Sequence, residues 1–378
     1  MQRTTREADF VRRADSLIER MSPLPLIYLG QALRALLDRL VTGVNQSGWC
    51  PEELGELLRR DGGAERLPAL GWLLTNDLRR APLPGAPWRA QVEALGKPEP
   101  LTGHSVDTLA GGLRLAVLLA GLPEVAATLS RTASSAAPVE PIDEEARAKL
   151  AKVRALLAKA ESTMYDEEAE ALTAKAQELI SRYALERLLE RDASAGSDTA
   201  SAGVAVRRLW LDAPYVLAKA HLVDAVASAN RCRVVVSERL SMCTVLGDPP
   251  DLDAVELLVT SLLVQSTHAM VGHGRHVDLA GVSRTRSFRQ SFLVSYAARI
   301  GERLNQATAD LVDESGESTT WLPVLRDAEQ RVSEAFEELF PEVQHVATTV
   351  SNGAGWYAGR TAADLAQLDV QPKLTAKG

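Results

Sequence analysis

Three histidines, His268, His273 and His276, fall within nine residues of one another. Imidazole titrates near neutral pH and ligates zinc-type metals, so a cluster of three suits either acid–base work or metal binding. Their spacings of 5 and 3 bring them to one ion only if the chain after His268 folds back. The competing expectation is a polar loop carried by Gly272 and Gly274, with no metal held. The same stretch leads into Arg275, Arg284, Arg286 and Arg289, opposed locally by Asp278 alone. Guanidinium forks match phosphate oxygens two at a time. Ser283 and Ser287 stand where a long helix begins, and free N–H groups at a helix start attract anions. These four arginines are the candidate phosphate or nucleic-acid contacts. The plainer expectation pairs them with an acidic middle block or with Asp248, Asp251 and Asp253.

Other clusters carry weaker chemistry. Asp248, Asp251, Asp253 and Glu256 could ligate Mg²⁺, but carboxylates are also favoured at a helix start without any metal. Gly353-x-Gly355-x-x-x-Gly359 misses the dinucleotide-binding fingerprint by one position and reads as a turn and helix start around Trp356. Helices over 51–60 and 66–80 could form a helix-turn-helix with Arg79 and Arg80 facing phosphates, although Glu52, Glu53 and Glu56 oppose DNA. No His-Glu-x-x-His, Walker A loop, Gly-x-Ser-x-Gly or Cys-x-x-Cys is present. That absence weighs against catalysis, and no metal or cofactor is expected. The three cysteines, Cys50, Cys232 and Cys243, cannot build a disulfide framework and are expected reduced.

The elements that position these residues can be read from periodicity. Leu29, Leu33, Leu36, Leu40 and Val44 predict one face of an N-terminal helix. Pro51 suits a first helical position, Asp61-Gly-Gly63 closes that helix, and a buried helix is expected over 111–130. In the middle block, Ala146, Leu150, Val153, Leu157 and Ala160 form one stripe, and Ala169, Leu172, Ala176, Leu179 and Tyr183 a second. Two such stripes joined by a short turn predict an antiparallel helical hairpin. Its apolar positions, Leu156, Leu157, Ile180 and Tyr183, are the candidate interaction face, with Leu156 and Ile180 needing a partner beyond the hairpin itself. Further on, 231–237 and 241–247 are β-branched runs between turns, flanked by helices over 214–229, 249–268, 287–311 and 321–340. The expected fold is mainly α: an N-terminal helical domain over 1–131, the hairpin over 143–191, and a small α+β domain over 205–378 with a β-hairpin sheet covered on one face and long helices. Stretches 132–141 and 192–203 read as linkers.

The 378 residues carry 42 basic and 50 acidic side chains, a net charge of −8, which excludes a globally basic nucleic-acid coat but not a local patch. Eighteen uncharged residues, 257–274, include Gln265, His268 and His273, and fall short of the roughly 20 mostly apolar residues of a membrane span. With no signal-peptide pattern in residues 1–20, the expected location is cytoplasmic.

The middle block resembles the DUF2786 family, a short bacterial and phage module. The residues that carry the resemblance are Leu150, Lys152-Val-Arg154, Leu156-Leu157, Ala160-Glu-Ser-Thr163, Glu168-Ala-Glu170, Ala174-Lys-Ala-Gln-Glu-Leu179 and Arg182-Tyr183. Val245-Leu-Gly247 and Ser287-Phe-Arg-Gln-Ser-Phe292 resemble the domain that commonly follows the module, and Trp49-x-Pro51 resembles an extension seen in actinobacterial relatives. The resemblance implies an architecture and supplies no catalytic residue. The expected function is that of a non-catalytic cytoplasmic binding or scaffold protein whose partner is another protein, a second copy, or nucleic acid, with no membrane involved. The rival expectation is a phosphate-processing enzyme, of hydrolase or nuclease type, built on the His268–His276 loop and its arginines.

Overall fold

Leucines at intervals of three and four residues drive the first helix, α1 (Leu26–Gln46). In the computed structural model, residues 26–80, 86–101, 105–122, 151–153, 155–156, 159, 179, 182, 204–277, 281–315, 318–341, 343 and 350–365 are described. The chain divides into two compact units, 1–138 and 139–378.

In the N-terminal unit α1 is followed by α2 (Pro51–Arg60), a 3-10 turn (Ala64–Arg66), α3 (Leu67–Arg80), α4 (Ala86–Ala94) and α5 (Val106–Ala120). The buried line of α1 is Leu29, Leu33, Leu37, Val41 and Val44, which corrects the expected stripe. Leu36 is 45% exposed and Leu37 fully buried, because α3 and α5 pack on the side that Leu37 and Val41 face. The fifth helix also starts earlier than expected, where Ser105 Oγ accepts the Thr108 N–H at 3.1 Å, and it closes at Gly121. Trp49 is completely buried just before Pro51, and Glu53 Oε2 accepts the Cys50 N–H at 2.9 Å, which fixes the entry to α2. Buried Asp77 on α3 accepts hydrogen bonds from Thr42 Oγ1 and Asn45 Nδ2, tying α3 to α1.

In the C-terminal unit the order is β1 (Ala205–Trp210), α6 (Val216–Ala229), β2 (Arg233–Ser237), β3 (Met242–Gly247), α7 (Pro249–Gly272), α8 (Thr285–Ser315), α9 (Ser318–Leu339) and α10 (Gly353–Leu365). The expected β2–β3 hairpin forms, and β1 adds a third strand antiparallel to β3, giving the order β1-β3-β2. All six residues of β3 are buried. Cys243 and Val245 point into the core shared with α6 and α7. The opposite pleat, Met242, Thr244 and Leu246, lies under α9, which buries Ala328 and Val332 and whose Ser333 Oγ accepts from Arg233 Nη2 at 3.1 Å. The sheet is therefore covered on both faces rather than one. Helix α7 is long and apolar enough to cross a membrane by length and composition, and it also buries Leu252, Val255, Leu258, Val259 and Leu262 in the core of this unit.

The glycines over 353–359 serve close packing. Asn352 Oδ1 accepts the Gly355 N–H at 2.9 Å and starts α10. A Cβ at Gly355 would overlap the Phe288 carbonyl, and one at Gly359 the Phe292 carbonyl and Ser295 Oγ, so α10 lies directly on the backbone of α8. Arg360 grips Glu302 with two bonds of 3.0 and 2.9 Å, and Arg299 adds a third of 2.8 Å. Those two arginines, Arg360 first, hold the Glu302 carboxyl down at about 2.

Gly359→Ala forces a methyl group into the α8 carbonyl row. It should destabilise the protein by about 1–3 kcal/mol in urea unfolding with an unchanged m-value, whereas Gly353→Ala, which meets nothing within 4 Å, should be neutral within about 0.5 kcal/mol. The Glu302 carboxylate is 47% exposed, so its contribution is modest and screened by salt. Because its pKa is depressed in the folded state, that contribution is full above the ordinary carboxylate range and fades as pH falls toward 2. The stability gap between wild type and Glu302→Gln should close in the same window.

Candidate functional site: an arginine loop at the start of α8

The acids near the start of α7 are each matched to an arginine. Asp251, 1% exposed, is bound by Arg231 through both Nε, at 3.1 Å, and Nη2. Burial works against the Arg231 cation, but Asp251 and Asp248 outweigh it and hold its pKa above the ordinary guanidinium value. Arg207 Nη1 reaches Asp253 at 2.6 Å and Glu256 at 2.7 Å. Arg331 lies 3.7 Å from buried Asp248. The carboxylates thus form ion pairs with three separate arginines, and among the described residues no group of three or more His, Cys, Asp or Glu side chains is arranged to hold a metal.

At the other end of α7 the chain turns through Gly274 (φ 71), runs through the Val277–Ser283 bridge and enters α8. The loop is clamped at its base. Arg284 N donates to His276 O at 2.8 Å, and Thr285 Oγ1 accepts the His276 N–H at 3.0 Å. Ser287 Oγ donates to Arg284 O at 2.9 Å. Phe288, buried at 2% exposure, anchors the loop from below. The His276 ring stacks on it at 3.5 Å between centroids and 14° between planes. The His273 ring packs 5.5 Å from Phe288 and 5.7 Å from Phe292. His273 and His276 are therefore brought to a shared aromatic ring, while His268 is exposed one turn before the end of α7.

Arg275, Arg284 and Arg286 are exposed, and Arg289 is half-buried with an enclosed Nε that has no acceptor. Arg275, Arg286 and Arg289 form no ion pair among the described residues. Asp278 lies outside the described residues. So do Leu157, Ile180 and Tyr183 of the hairpin and the side chains of Arg79 and Arg80. Of the hairpin's expected interaction face, Leu156 packs against the core of the C-terminal unit, together with Leu179 and fully buried Val153.

Residues 148–187 match the model of DUF2786, described as a protein of unknown function. This DUF2786 segment holds Val153, Leu156 and Leu179, so the positions that pack on the C-terminal core lie inside the matched stretch. No curated protein and no solved structure matches the chain.

Sequence reasoning missed the roles of Arg207 and Arg231, which sit 46 and 20 residues from the acids they neutralise. Asp251→Ala should cost about 3–5 kcal/mol, because it strands a mostly buried guanidinium. Asp253→Ala should cost under about 1 kcal/mol, since that carboxylate is 36% exposed and Arg207 keeps Glu256. Chemical denaturation of the two variants side by side checks the contrast.

Proposed function

We propose that this protein is a non-catalytic cytoplasmic binding protein that engages nucleic acid through the arginine loop at the start of α8. The observation that carries this is the sorting of charge. The acids at the start of α7 are held by Arg207, Arg231 and Arg331 at the far end of that helix, and Arg275, Arg286 and Arg289 have no carboxylate partner among the described residues. Exposed guanidinium groups on a clamped loop suit phosphate oxygens, and a localised patch can act on a chain whose net charge is −8.

The chemistry of the remaining groups supports binding over turnover. Burial pushes the Cys232 thiol well up and the Cys243 thiol to about 12, so neither is a thiolate at neutral pH. The His273 and His276 rings pack on Phe288, and the enclosed His276 Nε2 meets no hydrogen-bond partner, which supports a packing role for that ring.

The test is fluorescence anisotropy of the full chain with labelled single-stranded DNA, duplex DNA and RNA across a salt series. Binding should weaken linearly in log–log coordinates, and Arg286→Ala should reduce the slope by about 1 while weakening all sequences alike. Absence of salt-dependent binding to all three probes, or a slope unchanged in Arg275→Ala/Arg286→Ala, overturns the proposal.

A further inference from the structure

A second feature lies in the N-terminal unit, remote in sequence from the arginine loop. The 3-10 turn Ala64–Arg66, the start of α3 and one side of α5 enclose a cleft of about 500 Å³. That is within the roughly 300–1,000 Å³ range of small-molecule sites. Its apolar wall is formed by Ala69, Leu101, Val106 and Leu115, and two cations, Arg66 and Arg114, line it together with two carboxylates, Glu65 and Asp107.

Arg66 is the unusual member. Its side chain is only 11% exposed, and its one ion pair is to Glu65, at 2.8 Å, whose own side chain is 64% exposed. Its Nε is enclosed and finds no acceptor. An enclosed, unpaired guanidinium N–H costs stability unless an acceptor arrives from outside the chain. The Arg66 Nε lies against α5 at Gly111, where a Cβ would meet it at an ordinary contact of 3.7 Å. The end of α5 is not the receptor, because Ser105 Oγ already accepts the Thr108 N–H and lies 2.7 Å from its hydroxyl. Asp107 in the first turn of α5 is accommodated by the helix dipole.

We infer that this cleft binds a small organic anion, with a carboxylate or phosphate-ester head on Arg66 and Arg114 and a short aliphatic body along Leu101, Val106 and Leu115. A modest turn of the Arg66 side chain presents its unsatisfied N–H to that head. The ionic head and the apolar wall are both required, so neither a bare inorganic ion nor a neutral isostere satisfies the site.

Isothermal titration and thermal shift of the full chain with sodium octanoate, octanamide and inorganic phosphate test this. Octanoate should bind one per chain and raise Tm, with octanamide and inorganic phosphate each at least tenfold weaker. Arg66→Gln should weaken octanoate at least tenfold. Ala110→Glu, which places a carboxylate at a half-buried lining position, should abolish binding with the ligand-free Tm retained, and it decides the matter if Arg66→Gln fails to fold. Octanoate that does not bind, binds both variants as wild type does, or binds no better than octanamide overturns the inference. Phosphate binding as tightly as octanoate overturns the apolar half. Octanoate and nucleic acid are separate readouts, so either proposal can fail without the other.

Discussion

A carboxylate that is 99% removed from water cannot stay charged alone, and Asp251 is in that position. Arg231 answers it from the turn between α6 and β2, held at φ 58 so that its side chain reaches the first turn of α7. One ion pair therefore joins the end of a helix, the entry to the sheet and the start of the longest apolar helix of the unit. Buried Asp248 follows the same rule with Arg331, while the more exposed Asp253 and Glu256 share Arg207. At the other end of α7, Arg275, Arg284 and Arg286 are exposed and Arg289 is half-buried.

Regular patterning was legible where one neighbour dictates one stripe. The α2, α7, α8 and α9 spans follow from apolar periodicity, proline at helix starts and glycine after helix ends. The β2–β3 pair follows from its β-branched runs. Strand β1 was not legible because Arg207 and Arg208 interrupt the alternation. Arg207 can sit on the face that α7 covers only because Asp253 and Glu256 meet it there, and that fact is tertiary. Helix α4 was hidden for a different reason: its buried residues, Trp88 and Val92 with Leu95 beyond its end, give too short a stripe after a proline-rich run. In α1 the adjacent leucines 36 and 37 left the phase open by one residue, and only the packing of α3 and α5 selects Leu37.

The glycines near the C-terminus show how one spacing can suggest two chemistries. Read along the sequence, Gly353, Gly355 and Gly359 resemble a damaged phosphate cradle. In the structure Gly355 and Gly359 are one helical turn apart on the face of α10 that touches α8, and both lie over backbone carbonyls rather than facing an open site. The side chains that flank them, Arg360 toward Glu302 and Arg303 toward the carbonyls of Ala363 and Asp364, close the same helix pair from its edges. Small residues here permit close approach, and close approach brings the charged groups into bonding range.

The same logic bears on what the histidine loop can do. An imidazole that is to work as an acid, a base or a ligand must present a ring nitrogen to a substrate or an ion. His276 instead lays its ring flat on Phe288, and its Nε2 is enclosed without a hydrogen-bond partner. His273 leans on Phe288 and Phe292. These contacts make the rings part of the loop's foundation. Beside the exposed His268 and His273 stand the guanidinium forks of Arg275, Arg284 and Arg286, which bind anions well and transfer no protons near neutral pH. Clamped at its base by the His276 bonds to Arg284 and Thr285 and cationic at its rim, the loop has the features on which the proposed phosphate binding rests.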